Sequence, residues 1–379
     1  MANSEQERRI ARVIEEYDLQ GWHRSGTEVD AASARWLADR VAGCGLEPTL
    51  ERVPFDRFDP GPAYVQTGGR RVAGVPLFDG GLTGPEGVSG SLGALGSGSA
   101  IGMTETGAEP MARYRDARRA SAHDAIVAVT PAGPGVSLMN AVHFFEPFGP
   151  PVLQVGSEAR VHLAEQARRG AGARVVVSAS RQPAETCNVT AAIAGRDPGL
   201  APVVVMTPRS GWWHCAGERG GGIACWLEVM RAMAGTGPAR DVLFVSTTGH
   251  EIGLPGIEDF LKERPAVLTG ARLWVHFGAN IGATPHVGPL YAATGDKLRE
   301  AAREALVAAG AGSAEPSDAM VGAESSLIAA RGARCVAMVG GRYDLFHREA
   351  DRWPASIDPE AIAQCANGFA RIAMDAAPE

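Results

Sequence analysis

Three short apolar segments constrain the fold of this chain more than any other feature of its sequence. Val203 to Met206, Val242 to Val245 and Leu273 to Phe277 are rich in β-branched or aromatic residues, and each is followed by a polar or glycine-containing turn. Segments of this length and composition predict buried β-strands. The region from Val203 to Gly282 is therefore expected to form the centre of the fold.

Helical patterns lie next to these predicted strands. Ile223, Leu227 and Met230 recur at helical spacing after a glycine-rich entry, and Leu254 to Arg264 predicts a second helix. Alternating strands and helices are typical of a parallel sheet. The fold class that we predict is α/β, with a mostly parallel central sheet covered on both faces.

Polar side chains follow each predicted strand. Thr207 and Arg209 follow the first strand, His250 and Glu251 the second, and Asn280 the third. In parallel sheets, ligands bind just beyond the carboxyl ends of the strands. These side chains are therefore candidates for a functional site.

The two ends of the chain predict further regular elements. We expect helices at Glu5 to Tyr17 and at Glu28 to Cys44, the second with Thr27 as its N-cap, and a closing helix at Pro359 to Met374. A strand is predicted at Leu46 to Phe58.

The pattern changes between residues 61 and 185. This stretch includes a Gly, Ser and Pro-rich tract at residues 80–102 that has little periodicity, and regular patterning resumes at residue 186. We therefore predict one α/β domain built from residues 1–60 and 186–379, with residues 61–185 inserted as a separate domain.

Composition excludes several classes of function. The 379 residues are 45% hydrophobic, which is enough for an ordinary globular core. A net charge of -7 gives no basic field, so nucleic acid is a poor expected partner. The first 17 residues are charged and helical in pattern, and no apolar run approaches membrane-spanning length, so we expect a cytoplasmic protein without a membrane partner. The six cysteines lack any C-x-x-C pair, which argues against a cysteine zinc knuckle or a disulfide framework.

The order of motifs resembles that of the zinc aminopeptidase and carboxypeptidase family, which also contains the glutaminyl cyclases. GHEIGLPG at 249–256 resembles the family's Glu-Glu-x-Gly-Leu-x-Gly signature, and GERGGGIA at 217–224 resembles its Gly-x-Asp-Asn-x-x-Gly helix start. CNVTAAIAG at 187–195 resembles the strand that re-enters the catalytic domain. The resemblance implies a zinc-exopeptidase-like α/β domain, with the insert similar to a β-rich protease-associated domain.

The resemblance also implies altered metal ligands. The family binds two zinc ions through a bridging Asp, a His-x-Asp motif, a later Asp, a Glu and a C-terminal His. The His-x-Asp positions fall here on Thr207 and Arg209, and the later Asp falls near Ala279. Zinc binds Cys, His or carboxylate, and a guanidinium is always cationic. We therefore expect one of the two metal sites to be lost.

The ligands of the other zinc partly remain. Glu218 stands at the bridging position, Glu251 is the second glutamate of the signature, and His347 matches the C-terminal His. The glutaminyl cyclases hold one zinc with an Asp, Glu and His set, so a single zinc is one alternative. The other is a metal-free site, in which Arg209 or Arg219 pairs with Glu218 or Glu251. We favour no cofactor.

His250 falls at the position of the family's general base, the first Glu of the signature. An imidazole titrates near neutrality and can act as a base or acid without a metal. The alternative is a hydrogen-bonded remnant in an inactive site. His276, inside a predicted strand, belongs either to the core or to the site.

Other residues are candidates for contacting a substrate. Glu324 falls where the family has an Asp near its substrate pocket, or it could cap its own helix. Trp212 and Arg348 lie on segments expected at the rim, where they would suit an aromatic or carboxylate-bearing ligand, or serve packing and solvation. For His214, beside Cys215, a structural role is favoured because adjacent side chains point apart.

Together these residues predict an aminopeptidase-like hydrolase of an amide or related C–N bond in a small amino-acid-like or peptide-like substrate. His250 would activate water with the help of Glu251, and Arg209 with Arg219 would stabilise negative charge. The alternatives are acyl transfer, cyclisation or a lyase-like reaction at one zinc, and a non-catalytic pseudo-peptidase that binds a ligand or partner. The residues assigned to catalysis are His250, Glu251, Arg209 and Glu218, and those assigned to substrate binding are Thr207, Trp212, His214, Arg219, Asn280, Glu324 and Arg348.

Overall fold

The three predicted strands lie side by side at the centre of a sheet. The structure, a computed structural model, describes residues 4–106, 111–130 and 132–376. Val203 and Val205 face one hydrophobic core, whereas Val204 and Met206 face another. Because successive side chains of a strand point to opposite faces, a strand that is apolar at every position is buried on both sides.

Strands in the described residues are mostly short, apart from two long ones. In chain order they are β1 (Thr49–Thr67), β2 (Arg70–Ala73), β3 (Val75–Pro76), β4 (Val88–Ala94), β5 (Ile101–Glu105), β6 (Ala125–Val129), β7 (Val152–Val155), β8 (Gly172–Ile193), β9 (Val203–Pro208), β10 (Val242–Thr247), β11 (Leu273–Phe277), β12 (His286–Val287), β13 (Leu290–Ala293), β14 (Glu315–Pro316), β15 (Cys335–Val339) and β16 (Arg342–Tyr343).

In the same part of the chain, α-helices precede the strands, lie within the inserted segment, and separate the central strands from β9 onward. They are α1 (Glu5–Leu19), α2 (Glu28–Ala42), α3 (Met111–Arg119), α4 (Arg160–Arg168), α5 (Gly221–Met233), α6 (Pro255–Glu263), α7 (Val267–Gly270), α8 (Asp296–Ala308), α9 (Ala323–Ala330) and α10 (Pro359–Ala376).

The central sheet is mostly parallel, which confirms the predicted fold class. Its strand order is β14-β13-β15-β11-β9-β10-β8, and β10, β9, β11 and β15 are parallel neighbours. At the two sides, β8 and β13 join in antiparallel orientation. Helices α1, α2, α5, α8 and α10 contribute to the core on one face, and α6 and α9 to the core on the other.

A long antiparallel ribbon connects the central sheet to the inserted segment. β1 pairs with β8 from Thr49 opposite Thr190 to Thr67 opposite Ala173. Strands of the inserted segment continue the same sheet in the order β8-β4-β5-β6-β7-β3, and β4 joins the ribbon where Val88 pairs with Val175. Both ribbon strands run through the predicted boundaries at residues 60 and 186, and the division into domains and the likeness to a protease-associated domain stay predictions.

The inserted part of the sheet has its own apolar layers. Val127 and Val129 of β6 contact a core that includes Leu163 of α4, whereas Ile126 of the same strand contacts Tyr114 of α3 on the opposite face. Among the described residues, no helix is both long enough and apolar enough to cross a lipid bilayer.

Candidate active site

The candidate site lies at the carboxyl ends of the parallel strands. Arg209 and Ser210 follow β9, a helical turn at His250–Ile252 follows β10, and Asn280 follows β11. This is the edge at which a parallel sheet presents polar side chains to a ligand.

A π-helical turn at Ala216–Gly220 brings Glu218 and Arg219 to the same edge. The carboxylate of Asp351 holds the start of this turn, because its two oxygens accept hydrogen bonds from the backbone N–H of Gly217 at 2.7 Å and of Glu218 at 2.9 Å. π-Helical turns are rare and are found frequently at functional sites.

The glycine-rich entry to α5 is explained by a close approach between two backbone segments. A Cβ on Gly221 would lie 1.9 Å from the carbonyl oxygen of Ile281, so a larger residue does not fit there. Next to this contact, the Asn280 N–H donates to the Glu218 carbonyl oxygen at 3.0 Å. The helix start and the end of β11 therefore hold each other in place.

Arg219 lies between two buried carboxylates. Its Nη2 is 2.8 Å from Glu251 Oε1 and 2.9 Å from Glu218 Oε1, and His347 Nε2 is 3.3 Å from the same Glu218 oxygen. Ser210 completes the contacts, since its carbonyl accepts from Arg219 Nε at 2.8 Å and its hydroxyl donates to Glu251 Oε2 at 2.7 Å. We refer to Glu218, Arg219, Glu251 and His347 as the arginine–carboxylate cluster.

Charge pairing keeps Glu218 and Arg219 ionised despite their burial. Burial alone would raise the pKa of Glu218, but the charges of Arg219 and His347 outweigh it and lower this pKa to about 2. Burial would lower the pKa of Arg219, and the two carboxylates raise it above its ordinary value instead. Glu218 and Arg219 therefore keep their charges because their partners are present.

The cluster does not fit the zinc ion that the sequence resemblance implies. Glu218, Glu251 and His347 are brought together, but the guanidinium of Arg219 occupies the space between the two carboxylates. Within the described residues, no group of three His, Cys, Asp or Glu side chains is placed to hold a metal ion. A zinc ion would need the oxygens that Arg219 already uses.

A second pair of side chains consists of His250 and Glu324. His250 Nδ1 lies 2.8 Å and 3.0 Å from the two carboxylate oxygens of Glu324. Thr247 Oγ1 donates to Glu324 at 3.3 Å, and His276 Nε2 lies 3.6 Å from it. Because the carboxylate accepts from Nδ1–H, this tautomer leaves Nε2 of His250 as the available base.

Glu324 remains a carboxylate in this environment. Burial would raise its pKa, yet the charge and hydrogen bond of His250, together with the nearby His276, hold the pKa well below its usual range. The His250 side chain is 9% exposed, whereas that of Glu324 is 1% exposed. His250 is therefore the member of the pair that a substrate reaches first.

Two expectations about carboxylates need correction. Glu251 does not orient His250, because consecutive residues of the turn point in different directions and the Glu251 carboxylate faces Arg219 and Ser210. Glu324 takes the orienting position instead. It does not cap its helix, since Gly322 is the N-cap of α9 and Glu324 reaches across to His250.

Arg209 is not brought together with Arg219 as expected. Its guanidinium forms a fully buried ion pair with Asp30 of α2 at 2.8 Å and donates to the Cys187 carbonyl oxygen at 2.6 Å. Asp30 balances the charge of Arg209, and the Cys187 carbonyl oxygen accepts hydrogen bonds from its guanidinium. Arg209 therefore joins α2 to β8, and it is not the group that stabilises charge on a substrate.

Thr207 and Arg348 contact protein groups in the structure. Thr207 is buried and donates to the Phe277 carbonyl oxygen at 2.9 Å, so it links β9 to β11. Arg348 donates to the carbonyl oxygen of Pro134 at 2.9 Å. Asn280 stays at the site, with an Oδ1 that has no hydrogen-bond partner in the described part of the chain.

Trp212 and His214 lie outside the two groups. Trp212 is buried and donates to Asn140 Oδ1 at 3.1 Å, which fixes the loop before α5 against the inserted segment. His214 Nδ1 lies 2.8 Å from the carbonyl oxygen of Asp18. Cys215 is buried and does not pair with it, as the preference for a structural role implied.

Three residues of the site have left-handed backbone conformations that favour glycine. Their φ angles are 56° at Cys215, 64° at Asn280 and 60° at His347. Non-glycine residues in this region cost energy and cluster at functional sites. The surrounding contacts of the site must hold these conformations.

Sequence reasoning missed three residues that support the site: Ser210, Asp351 and Asp30. Asp351 lies four residues after His347 in the motif LFHREAD, which was a usable signal. The sequence carries no signal for Ser210 or Asp30, because their partners Glu251 and Arg209 are distant in sequence.

Solved structures of aminopeptidases have the same fold. The zinc aminopeptidase BSAP from Bacillus subtilis superposes with a TM-score of 0.82 at 15% identity, covering 98% of this chain and 95% of that one. A peptidase M28 precursor from Shewanella amazonensis gives a TM-score of 0.77 at 18% identity over 98% and 96% of the two chains. An aminopeptidase from Aneurinibacillus gives 0.74 at 14% identity over 98% and 94%.

No protein-family model and no curated protein matches the sequence. Identities of 14–18% support likeness in fold alone. The structural likeness spans nearly the whole chain, including the inserted segment. The chain therefore has the fold of the zinc aminopeptidases, as the resemblance in its sequence implied.

Proposed function

We propose that this protein is a metal-independent hydrolase that cleaves an amide bond in a small amino-acid-like or peptide-like substrate. One observation carries the proposal: the guanidinium of Arg219 stands between Glu218 and Glu251, while a separate acid–base pair, His250 with Glu324, lies at the same strand ends. The hydrolase fold supports the reaction class.

His250 supplies the proton transfers. Its Nε2 takes a proton from water as the water oxygen attacks the amide carbonyl carbon, and Glu324 stabilises the imidazolium that forms. The imidazolium then gives the proton to the leaving nitrogen as the C–N bond breaks. Water and amide become carboxylic acid and amine, and His250 returns to its starting state.

Arg219 is the group that stabilises negative charge. Its Nη1 is buried and has no hydrogen-bond partner among the described residues, so it is a donor available to the carbonyl oxygen as charge develops there. The left-handed conformations at Cys215, Asn280 and His347 also favour a working site over a relaxed remnant.

A second candidate function is a pseudo-peptidase that binds a ligand without converting it. The burial of the cluster favours it, because the side chains of Glu218 and Arg219 are fully buried. A buried ion-pair network in place of a metal is also what a purely structural replacement would look like. Turnover experiments separate the two candidates.

The proposal is tested by turnover in the presence of a metal chelator. The intact protein is assayed against a panel of aminoacyl and N-acyl amides, with amine release as the readout. We expect chelator-resistant hydrolysis, and we expect His250→Ala to lower it by roughly 100-fold or more, which is the usual contribution of a general base. His250→Glu should not restore full activity, because no metal-bound water is available to that carboxylate.

His162→Ala is the matched control, since His162 lies on α4, where its Nε2 is 3.2 Å from the Thr67 carbonyl oxygen, far along the inserted segment. It should hydrolyse the substrate at the wild-type rate. An unchanged rate in His250→Ala, or no hydrolysis of any amide by the wild type, would support the pseudo-peptidase instead.

A further inference from the structure

A large cavity lies between the inserted segment and the loop that carries His347. Its volume is about 590 Å³, within the range of sites for small molecules. On one side it is lined by Tyr114 and Arg118 of α3, and on the other by Phe346, His347 and Arg348. The cavity thus reaches the arginine–carboxylate cluster through His347, whose Nε2 is 3.3 Å from Glu218.

Two buried side chains of this cavity carry donors that have no hydrogen-bond partner among the described residues. Tyr114 and Arg118 are each 4% exposed, and neither Tyr114 Oη nor Arg118 Nε has a hydrogen-bond partner in the described part of the chain. The Arg118 guanidinium carbon lies 5.7 Å from the centre of the Tyr114 ring, so the two side chains are neighbours. Buried donors without partners cost stability, and an acceptor supplied by a ligand would recover that cost.

The lining carries more positive than negative charge. Arg118 is balanced by Asp79, whose Oδ1 is 2.8 Å from its Nη2. Arg348, which is 7% exposed, instead donates to backbone carbonyl oxygens, including that of Pro134 at 2.9 Å. Asp79 is the acidic residue among the described lining residues, so the cavity favours an anionic group.

The remaining walls are apolar. Leu77, Leu138, Met139, Phe148 and Phe346 contribute to the lining. Large apolar walls with a few placed donors are typical of sites that bind an apolar molecule in one orientation. The shape and charge together select a molecule with a hydrophobic body and one acidic end.

We propose that this cavity binds a hydrophobic carboxylic acid of small-molecule size, with its carboxylate at Tyr114 and Arg118 and its apolar body toward Phe346 and His347. The proposal deepens the proposed function, because it names the substrate class of the hydrolase: an amide whose acyl or amine part bears a hydrophobic group and a free carboxylate. Binding itself does not require turnover.

The test uses 4-phenylbutyrate and its uncharged analogue 4-phenylbutyramide as probes of the intact protein, with titration calorimetry as the measurement. We expect wild type to bind the acid at least about tenfold more tightly than the amide, since a hydrogen bond to a charged acceptor is stronger than one to a neutral acceptor. Arg118→Gln should remove most of this preference, because it removes the guanidinium at the proposed carboxylate end of the cavity.

Tyr114→Phe is the decisive variant because it removes only the hydroxyl group. It should weaken binding of 4-phenylbutyrate by about fivefold or more, and it should not lower the melting temperature, because an unpaired buried hydroxyl is lost. Tyr64→Phe, on β1 outside the cavity, is the matched control and should bind the acid as wild type does.

Equal binding of acid and amide, no saturable binding of the acid, or wild-type binding by Tyr114→Phe would overturn the inference. His162→Ala should bind the acid as wild type does, because His162 lies on α4 and does not line this cavity. Probe binding without hydrolysis of any amide would reject the proposed function and leave the cavity assignment standing. Hydrolysis of an amide without binding of the probe would reject the cavity assignment and leave the proposed function standing.

Discussion

Arg219 changes the chemistry that Glu218 and Glu251, the two carboxylates of the cluster, can support. Two buried carboxylates need a nearby cation, and breaking such a pair costs several kcal/mol. Zinc would meet this need and also activate a water molecule, whereas a guanidinium supplies fixed charge and donors but no bound water. With Arg219 between Glu218 and Glu251, the proposed function assigns activation of water to a side chain, His250, whose Nδ1 lies 2.8 Å from the Glu324 carboxylate.

The depressed pKa of Glu218 predicts a pH dependence of stability. Its pKa is about 2 in the folded protein against an ordinary value of 4.5, so its contribution is complete above about pH 5 and is lost as the pH falls toward 2. We expect a loss on the order of 3 kcal/mol over this range.

Urea unfolding of wild type and Glu218→Gln from pH 7 to pH 2 measures this contribution. Glu218→Gln should be less stable at pH 7 and should lose less stability on acidification. Glu263→Gln removes an exposed carboxylate of α6 and is the matched control, which should follow the wild-type curve. Parallel curves for wild type and Glu218→Gln would show that Glu218 is not held ionised by its partners.

Sequence reasoning reached the members of the site but not all of their contacts. The motifs GHEIGLPG and LFHREAD identified His250, Glu251 and His347. The metal-free alternative had Arg209 or Arg219 pair with Glu218 or Glu251, and in the structure Arg219 is the one that does so. The partner of His250 was misassigned, because Glu324 lies 74 residues away and only the folded sheet brings it near. Glu251 is adjacent to His250 in the sequence, but its side chain points in another direction and does not contact His250.

At the scale of elements, the sequence predicted most accurately the bounds of helices and strands that are set by contacts between neighbouring residues. Helix α2 begins after the predicted N-cap Thr27, which accepts a hydrogen bond from the Asp30 N–H at 3.2 Å. β11 has the predicted bounds, Leu273–Phe277. β1 extends to Thr67, beyond the predicted end at Phe58, because pairing with β8 sustains a strand that contains Pro60 and Pro62. Such distant pairing leaves no local pattern.

The contact between the start of α5 and the end of β11 gives a prediction for Gly221. Gly-to-Ala changes inside helices usually stabilise by about 0.5–1 kcal/mol. Here the new Cβ would lie 1.9 Å from the Ile281 carbonyl oxygen, so we expect Gly221→Ala to destabilise the protein by about 1–3 kcal/mol instead. Catalysis should fall as well, because the displaced backbone carries Glu218 and Asn280.

Thermal unfolding together with the amide hydrolysis assay checks this outcome. Gly172→Ala, at the start of β8, is the control, because no described heavy atom lies within 4 Å of its added Cβ. It should leave both measurements unchanged. A stabilised and fully active Gly221→Ala protein would show that the two segments are further apart than the structure places them.

For the molecule as a whole, the α/β class and the aminopeptidase-like fold could be predicted, because they follow from repeated local patterns and the order of motifs. The cavity beside His347 could not, since its walls come from α3, residues 137–148 and the loop after β16, which are far apart in the chain. The charge of Arg348 in this cavity agrees with the expectation of a carboxylate-bearing ligand, and that ligand stays a proposal.

The central claim is that a guanidinium has taken the place of a metal ion in this fold, and zinc binding by the intact protein tests it most directly. Wild type and Arg219→Ala are incubated with excess zinc, separated from free metal and analysed for zinc content. We predict well below one zinc ion per chain for wild type and uptake by Arg219→Ala, in which Glu218, Glu251 and His347 are released as ligands. One or more tightly bound zinc ions per wild-type chain, lost on substitution of Glu218 or His347, would contradict the account.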